Sequence, residues 1–169
     1  MAVQQPPTME IQLNSGLAGD TPLFIGDDLK NIRSLYIAAN SAVPTFVTDE
    51  KMVPSNGEIQ SIPKEMFVNE LWEIRFDNGL HITCTPNTLI YSFGYGFKPV
   101  KDIVVEESVV GVVFKDGQMQ NRFFDCTHSN KSFKTLKEPV YYFITSTGTL
   151  LLPYVNEESG EVSFIVLHQ

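Results

Sequence analysis

An all-β domain is the fold class this sequence predicts. Short apolar runs recur along most of its 169 residues, and glycine-containing turns separate them at Gly94, Gly96, Gly117, Gly148 and Gly160. Asp77-Asn78-Gly79 stands between two such runs as a strong hairpin signal, because two successive positions there must tolerate positive φ. Only one segment, residues 29–40, has apolar spacing that suits a helix. The length suits one domain with its own core.

The elements follow in order. Residues 1–8 are polar and carry Pro6-Pro7, which predicts a loose tail; residues 9–13 alternate like a short strand. Residues 1–14 are thus set apart from a domain over 15–169. Residues 22–25 form a brief apolar run, and Asp27-Asp28 marks a turn. Within 29–40, Ile32, Leu35, Tyr36 and Ala39 would share one helical face, but Asn31, Ser34, Tyr36 and Ile37 are weak helix formers. A strand over 34–38 competes. Residues 43–47 read as a strand and 48–61 as a long polar stretch. Residues 66–77 mix Phe67, Leu71, Ile74 and Phe76 with charged side chains, and 80–84 is the return strand of the hairpin. Further strands are expected over 89–93, 96–100, 108–114, 119–124, 138–147 and 163–168. Residues 126–137 are polar and read as a surface loop or insertion.

Composition excludes several functions. The net charge is −8 with no long run of one sign, which argues against a nucleic-acid partner and for a solvated acidic surface. Nothing reads as a signal peptide or a membrane span, so synthesis in the cytoplasm, or assembly into a virion, is expected. Cys84 and Cys126 cannot form a disulfide framework. Two cysteines and three histidines, widely spread, do not make a zinc site, and no phosphate-cradling glycine loop exists. No metal or cofactor is expected. Cys126-Thr127-His128 reads as loop, with a nucleophilic Cys126 helped by His128 as the sharper alternative. Three positions apart on one strand, His81 and Cys84 should face opposite ways, one to water and one to the core. Trp72 and the twelve Phe read as core, and Phe93-Gly94-Tyr95-Gly96 as an aromatic-flanked turn whose Tyr95 could meet a partner.

Three segments in order resemble the Hint fold shared by inteins and hedgehog autoprocessing domains. Residues 16–21, Gly-Leu-Ala-Gly-Asp-Thr, are similar to the intein opening Cys-Leu-Ala-Gly-Asp-Thr. Residues 77–88 resemble the central motif, a hairpin leading into Thr-Pro-Asn-His, with residues 96–103 as the usual next step. Residues 140–149, closing on Val166-Leu167-His168-Gln169, resemble the C-terminal motifs. The resemblance covers nearly everything after residue 15 and implies a compact, horseshoe-like β domain that brings both chain ends together.

The resemblance also implies where splicing chemistry would sit. A thiol or hydroxyl at the first position attacks the preceding carbonyl, a motif His strains or protonates the scissile amide, an acid and a further His assist later steps, and a terminal Asn cyclises with help from the preceding His. Here the first position is Gly16, which has no nucleophile; Ser15, one place upstream, reads as a plain loop residue. Thr85 keeps the motif Thr, but Thr88 stands where its His would be and cannot shuttle a proton near neutral pH. Tyr142 takes the acid's place and Leu150 the later His. His168 remains, followed by Gln169 in place of Asn.

Two readings follow. In the first, the domain no longer splices and is a structural or interaction module, such as one in a phage particle or a secreted bacterial assembly, meeting a protein partner or its own flanking segments. In the second it keeps C-terminal self-cleavage, with Gln169 cyclising through a six-membered ring and His168 protonating the leaving amine. A deliberately inactivated intein, with Gly16 and Gln169 as the changes, is a variant of the second, against which Thr88, Tyr142 and Leu150 count as surplus substitutions. The sequence sets no oligomeric state.

Overall fold

The computed structural model describes residues 12–38, 42–132 and 139–169. The expected tail over 1–8 and most of the strand expected over 9–13 lie outside them; Gln12 and Leu13 belong to no strand. β1 (Gly16–Ala18) turns at Gly19-Asp20 into β2 (Pro22–Ile25), which folds back on β3 (Asp28–Asn31). The competition between helix and strand that follows is won by α1 (Ile32–Ala38). Asn31 decides it: its side-chain oxygen accepts from Ser34 N–H at 2.8 Å, an N-cap bond that satisfies a first-turn amide. Ile32 and Leu35 are buried as the helical face predicts, while Leu29 and Lys30 belong to β3 rather than to the helix.

β4 (Val43–Thr48) pairs with β5 (Pro54–Ser61), a strand where only a polar stretch was expected. Of the β5 side chains only Ile59 is fully buried, so its pattern carries almost no apolar signal. The alternation over 66–77 does not make one strand: it is split between β6 (Glu65–Met66) and β7 (Trp72–Phe76), with Phe67 66% exposed between them. The Asp77-Asn78-Gly79 turn joins β7 to β8 (His81–Cys84) in the hairpin that the sequence predicts, but of the two successive positive-φ positions expected only Gly79 adopts one, at φ 98°. Cys84 is buried and His81 exposed.

β9 (Leu89–Ser92) and β10 (Gly96–Pro99) flank the glycine turn at 94–96, and a 3-10 turn (Val100–Asp102) follows. β11 (Ser108–Lys115) pairs along its whole length with β12 (Gln118–Lys131). β12 runs on through Cys126–Lys131 by pairing with β7, so that stretch is strand and not loop; residues 133–137 of the expected loop lie outside the described residues. β13 (Val140–Tyr142) and β14 (Ile144–Thr145) precede β15 (Thr149–Val155), which was not expected, and β16 (Val162–His168).

Among the described residues, eleven strands form the main sheet, in the order β10-β9-β16-β11-β12-β7-β8-β1-β13-β6 with β15 added on β16. β14-β5-β4 and β2-β3 are smaller sheets. The core includes Leu17, Ile74, Ile90, Leu150, Ile165 and Leu167. Trp72 is half-buried, its indole N–H donating to Ser129 Oγ at 2.9 Å. The Phe residues are not all core: Phe67, Phe93, Phe114 and Phe123 are exposed. No helix among the described residues is long and apolar enough to cross a membrane.

Candidate functional site

β1 lies between β8 and β13, in register Leu17 to Cys84 and Gly16 to Tyr142. This places Gly16 against the loop that leaves β8. Thr85 N–H donates to Gly16 O at 2.8 Å, and Gly16 N–H donates to Thr85 Oγ1 at 3.1 Å. The same hydroxyl donates to Asn14 O at 3.0 Å, and Thr88 Oγ1 lies 3.0 Å from it. Thr88, fully buried, closes a turn by donating its N–H to Thr85 O. Thr85, braced by Thr88, therefore grips the peptide on both sides of Ser15, and no buried side-chain nitrogen or oxygen among the described residues lacks a partner.

No side chain fits at Gly16. A Cβ there would stand 2.8 Å from Thr85 Cγ2 and 2.9 Å from both Tyr142 Cζ and Val140 Cγ2, all well inside contact distance. Tyr142 is buried, and burial pushes its phenol above the ordinary value, so at neutral pH it is a neutral ring. The Lys64 ammonium lies over that ring, 4.7 Å from its centre. Cys84, the thiol closest to β1 by register, is pushed up to about 12 by burial, partly offset by its hydrogen bond with Thr88; it is an inert thiol at neutral pH.

The C-terminal end of β16 arrives at the same place. Ser15 Oγ donates to His168 O at 2.5 Å and accepts from Leu89 N–H at 3.0 Å. Ser15 is fully buried: the residue read as plain loop is the pin between β1, β9 and β16. Asn14 N–H donates to Gln169 O at 2.7 Å, with Ser15 N–H on the same oxygen at 3.4 Å. Gln169 N–H donates to Gly148 O, and the Gln169 side-chain oxygen accepts from Thr145 N–H at 3.0 Å. The His168 ring packs edge-on to Phe97, and partial burial lowers its pKa, which favours neutral imidazole.

Of the residues singled out from sequence, the structure brings Ser15, Gly16, Thr85, Thr88, Tyr142, His168 and Gln169 to one junction. Leu150 follows Thr149, the strand partner of His168, but its side chain is fully buried in the core opposite Leu167. Cys126 is on β12, partnered by β7 and β11; its thiol donates to His128 O, and burial raises its pKa, so no activated pair with the His128 ring exists there. No cluster of metal-binding side chains exists among the described residues. Sequence reading missed Asn14, Leu89, Thr145 and Gly148, which act through backbone amides and carbonyls and carry no side-chain signal.

No family model and no curated relative matches the chain. Solved structures do. A variant of the Ssp DnaB mini-intein shares 13% identity at a TM-score of 0.70, over 94% of this chain and 97% of that one. The DnaB intein of Synechocystis sp. PCC 6803 shares 12% at 0.68, over 92% and 99%. A bacterial intein-like domain from Clostridium thermocellum shares 13% at 0.62, over 94% and 100%. This is the Hint fold of the inteins. In this fold the segment entering β1 meets the end of β16, with Gly16 joined to Gln169 through Asn14 and Ser15.

Proposed function

We propose that this intein-like domain does not splice and serves as a structural or interaction module, holding its own flanking segments together or presenting its surface to a protein partner. One observation carries the reading: the position of the N-terminal nucleophile is a glycine whose side-chain space is filled by Thr85, Val140 and Tyr142. Acyl transfer at the Ser15–Gly16 bond has no attacking atom. Thr88 offers a hydroxyl where an imidazole would be needed, and it is already bonded to Thr85. A phage particle or a secreted bacterial assembly is a setting in which a stable, non-cleaving clasp of this kind would serve.

Intact-mass spectrometry tests this. The chain, expressed from its full reading frame and incubated with thiol or hydroxylamine, should keep its encoded mass. A break between Ser15 and Gly16 would overturn the proposal.

The C-terminal junction supports a second reading, self-cleavage after Gln169. Gln169 keeps a side-chain amide, Thr145 N–H holds that amide by its oxygen, and His168 precedes it. A cyclic imide at Gln169, or loss of a downstream segment, would favour this reading.

A further inference from the structure

The geometry points to the segment before Gly16 as part of the C-terminal site: the Asn14 and Ser15 amides form an oxyanion hole over the Gln169 carbonyl, so release after Gln169 requires an uncut N-terminal junction. This rests on the second reading above. In the free chain the Gln169 oxygen belongs to the terminal carboxylate; where a residue follows, it is the oxygen of the bond to be broken. Asn14 N–H lies 2.7 Å from it, within the range of working oxyanion donors. Ser15 N–H, at 3.4 Å, must close by a few tenths of an ångström as charge develops, as such bonds do.

The two donors are held from behind. Thr85 Oγ1 fixes the Asn14 carbonyl, Thr85 itself accepts the Gly16 amide, and Ser15 Oγ is tied to Leu89 N–H and His168 O. Thr85 serves both ends of this arrangement: its hydroxyl holds the donor peptide in place, and its methyl group is one of the three groups that fill the space at Gly16. In the reaction, the Gln169 side-chain nitrogen bonds to the Gln169 carbonyl carbon and the bond from that carbon to the next nitrogen breaks. One proton passes from the attacking amide to the leaving amine. The tetrahedral oxyanion between these events lies on the oxygen that Asn14 and Ser15 face. A chain cut at residue 15 would lose both donors, so inertness at one junction preserves the machinery of the other.

The test uses the full chain with a short peptide appended after Gln169, release being followed by mass. Asn14→Pro removes one donor, and an ester in place of the Leu13–Asn14 amide removes it without the ring; each should slow release about a hundredfold or more. Ile37→Ala, at an exposed position of α1 outside the junction, should release at the unmodified rate, and a chain beginning at Gly16 should not release. Equal rates for the ester and the amide would overturn the inference and leave the second reading standing. No release from any form, with all of them folded by circular dichroism, would overturn both.

Discussion

At the N-terminal junction, the atoms around Gly16 are two methyl groups and a phenol ring crowding the space a side chain would need. At the C-terminal junction, a few ångströms of hydrogen bonding away, the atoms around Gln169 are amide donors aimed at its two carbonyl oxygens. One junction is packed as core and the other is arranged as a polar site. The fold brings the start of β1 and the end of β16 together whatever occupies them, because each strand is fixed by its own sheet neighbours. Architecture and chemistry are thus separable here, as is general for folds that host many functions.

The sharpest break in the comparison is to disturb a residue that the motif resemblance assigns to chemistry and the structure assigns to the core. Leu150→Ala should cost about 2–5 kcal/mol of stability in denaturant unfolding, the range for truncating a fully buried leucine. It should leave any release after Gln169 unchanged in sufficiently mild buffer. A surface-like cost well under 1 kcal/mol would mean Leu150 is not packed as described.

Next in size is the crowding at the N-terminal junction. Gly16→Ala should cost about 1–3 kcal/mol through overpacking. Combining it with Tyr142→Ala should recover part of that loss, since one of the three close atoms is then gone and neighbouring sites couple. Strict additivity would show that Tyr142 does not fill the Gly16 space. The same crowding means that installing a cysteine at Gly16 alone would not restore a usable nucleophile.

A smaller effect belongs to the pin between the ends. Ser15→Ala removes the donor to His168 O and leaves Leu89 N–H without its acceptor, at about 1–2 kcal/mol. Hydrogen exchange should speed at Leu89 and at the Asn14 amide, with β7 and β12 unaffected. Uniform change across the sheet would deny Ser15 this local role.

What could be read from sequence follows the same division. The Asp77–Gly79 hairpin was legible because its turn demands a backbone state that few residues adopt, and Gly79 adopts it. The opening and closing motifs were legible as order and spacing. β5 was hidden because a strand with one fully buried side chain does not alternate, and β15 because Leu150-Leu151-Leu152 is a continuous buried run followed by Pro153. The outer half of β12 looked like loop since most of its side chains face water. At the site, Gly16 as a missing nucleophile was visible, but the sealing of its space was not, because Val140 and Tyr142 arrive from more than a hundred residues away. Ser15 read as loop because nothing local marks a hydroxyl whose partners are Leu89 and His168.

The least effect, and the one that separates the two roles of His168, is its pH dependence. Its ring meets Phe97 and Gly148, neither of which titrates, and partial burial holds its pKa below the ordinary value of about 6.5. The unfolded chain therefore binds this proton more readily than the folded one. Its contribution to stability is complete above pH 6.5 and is lost as pH falls through the lower folded value. His168→Gln should flatten the fall of stability that sets in as pH drops below about 6.5. Any release after Gln169 that uses His168 as proton donor must have the opposite sign, rising as the ring takes up its proton. Stability falling while release rises over one pH interval would assign both effects to this ring; stability and release falling together would remove His168 from the reaction and leave it as a packing residue at the end of β16.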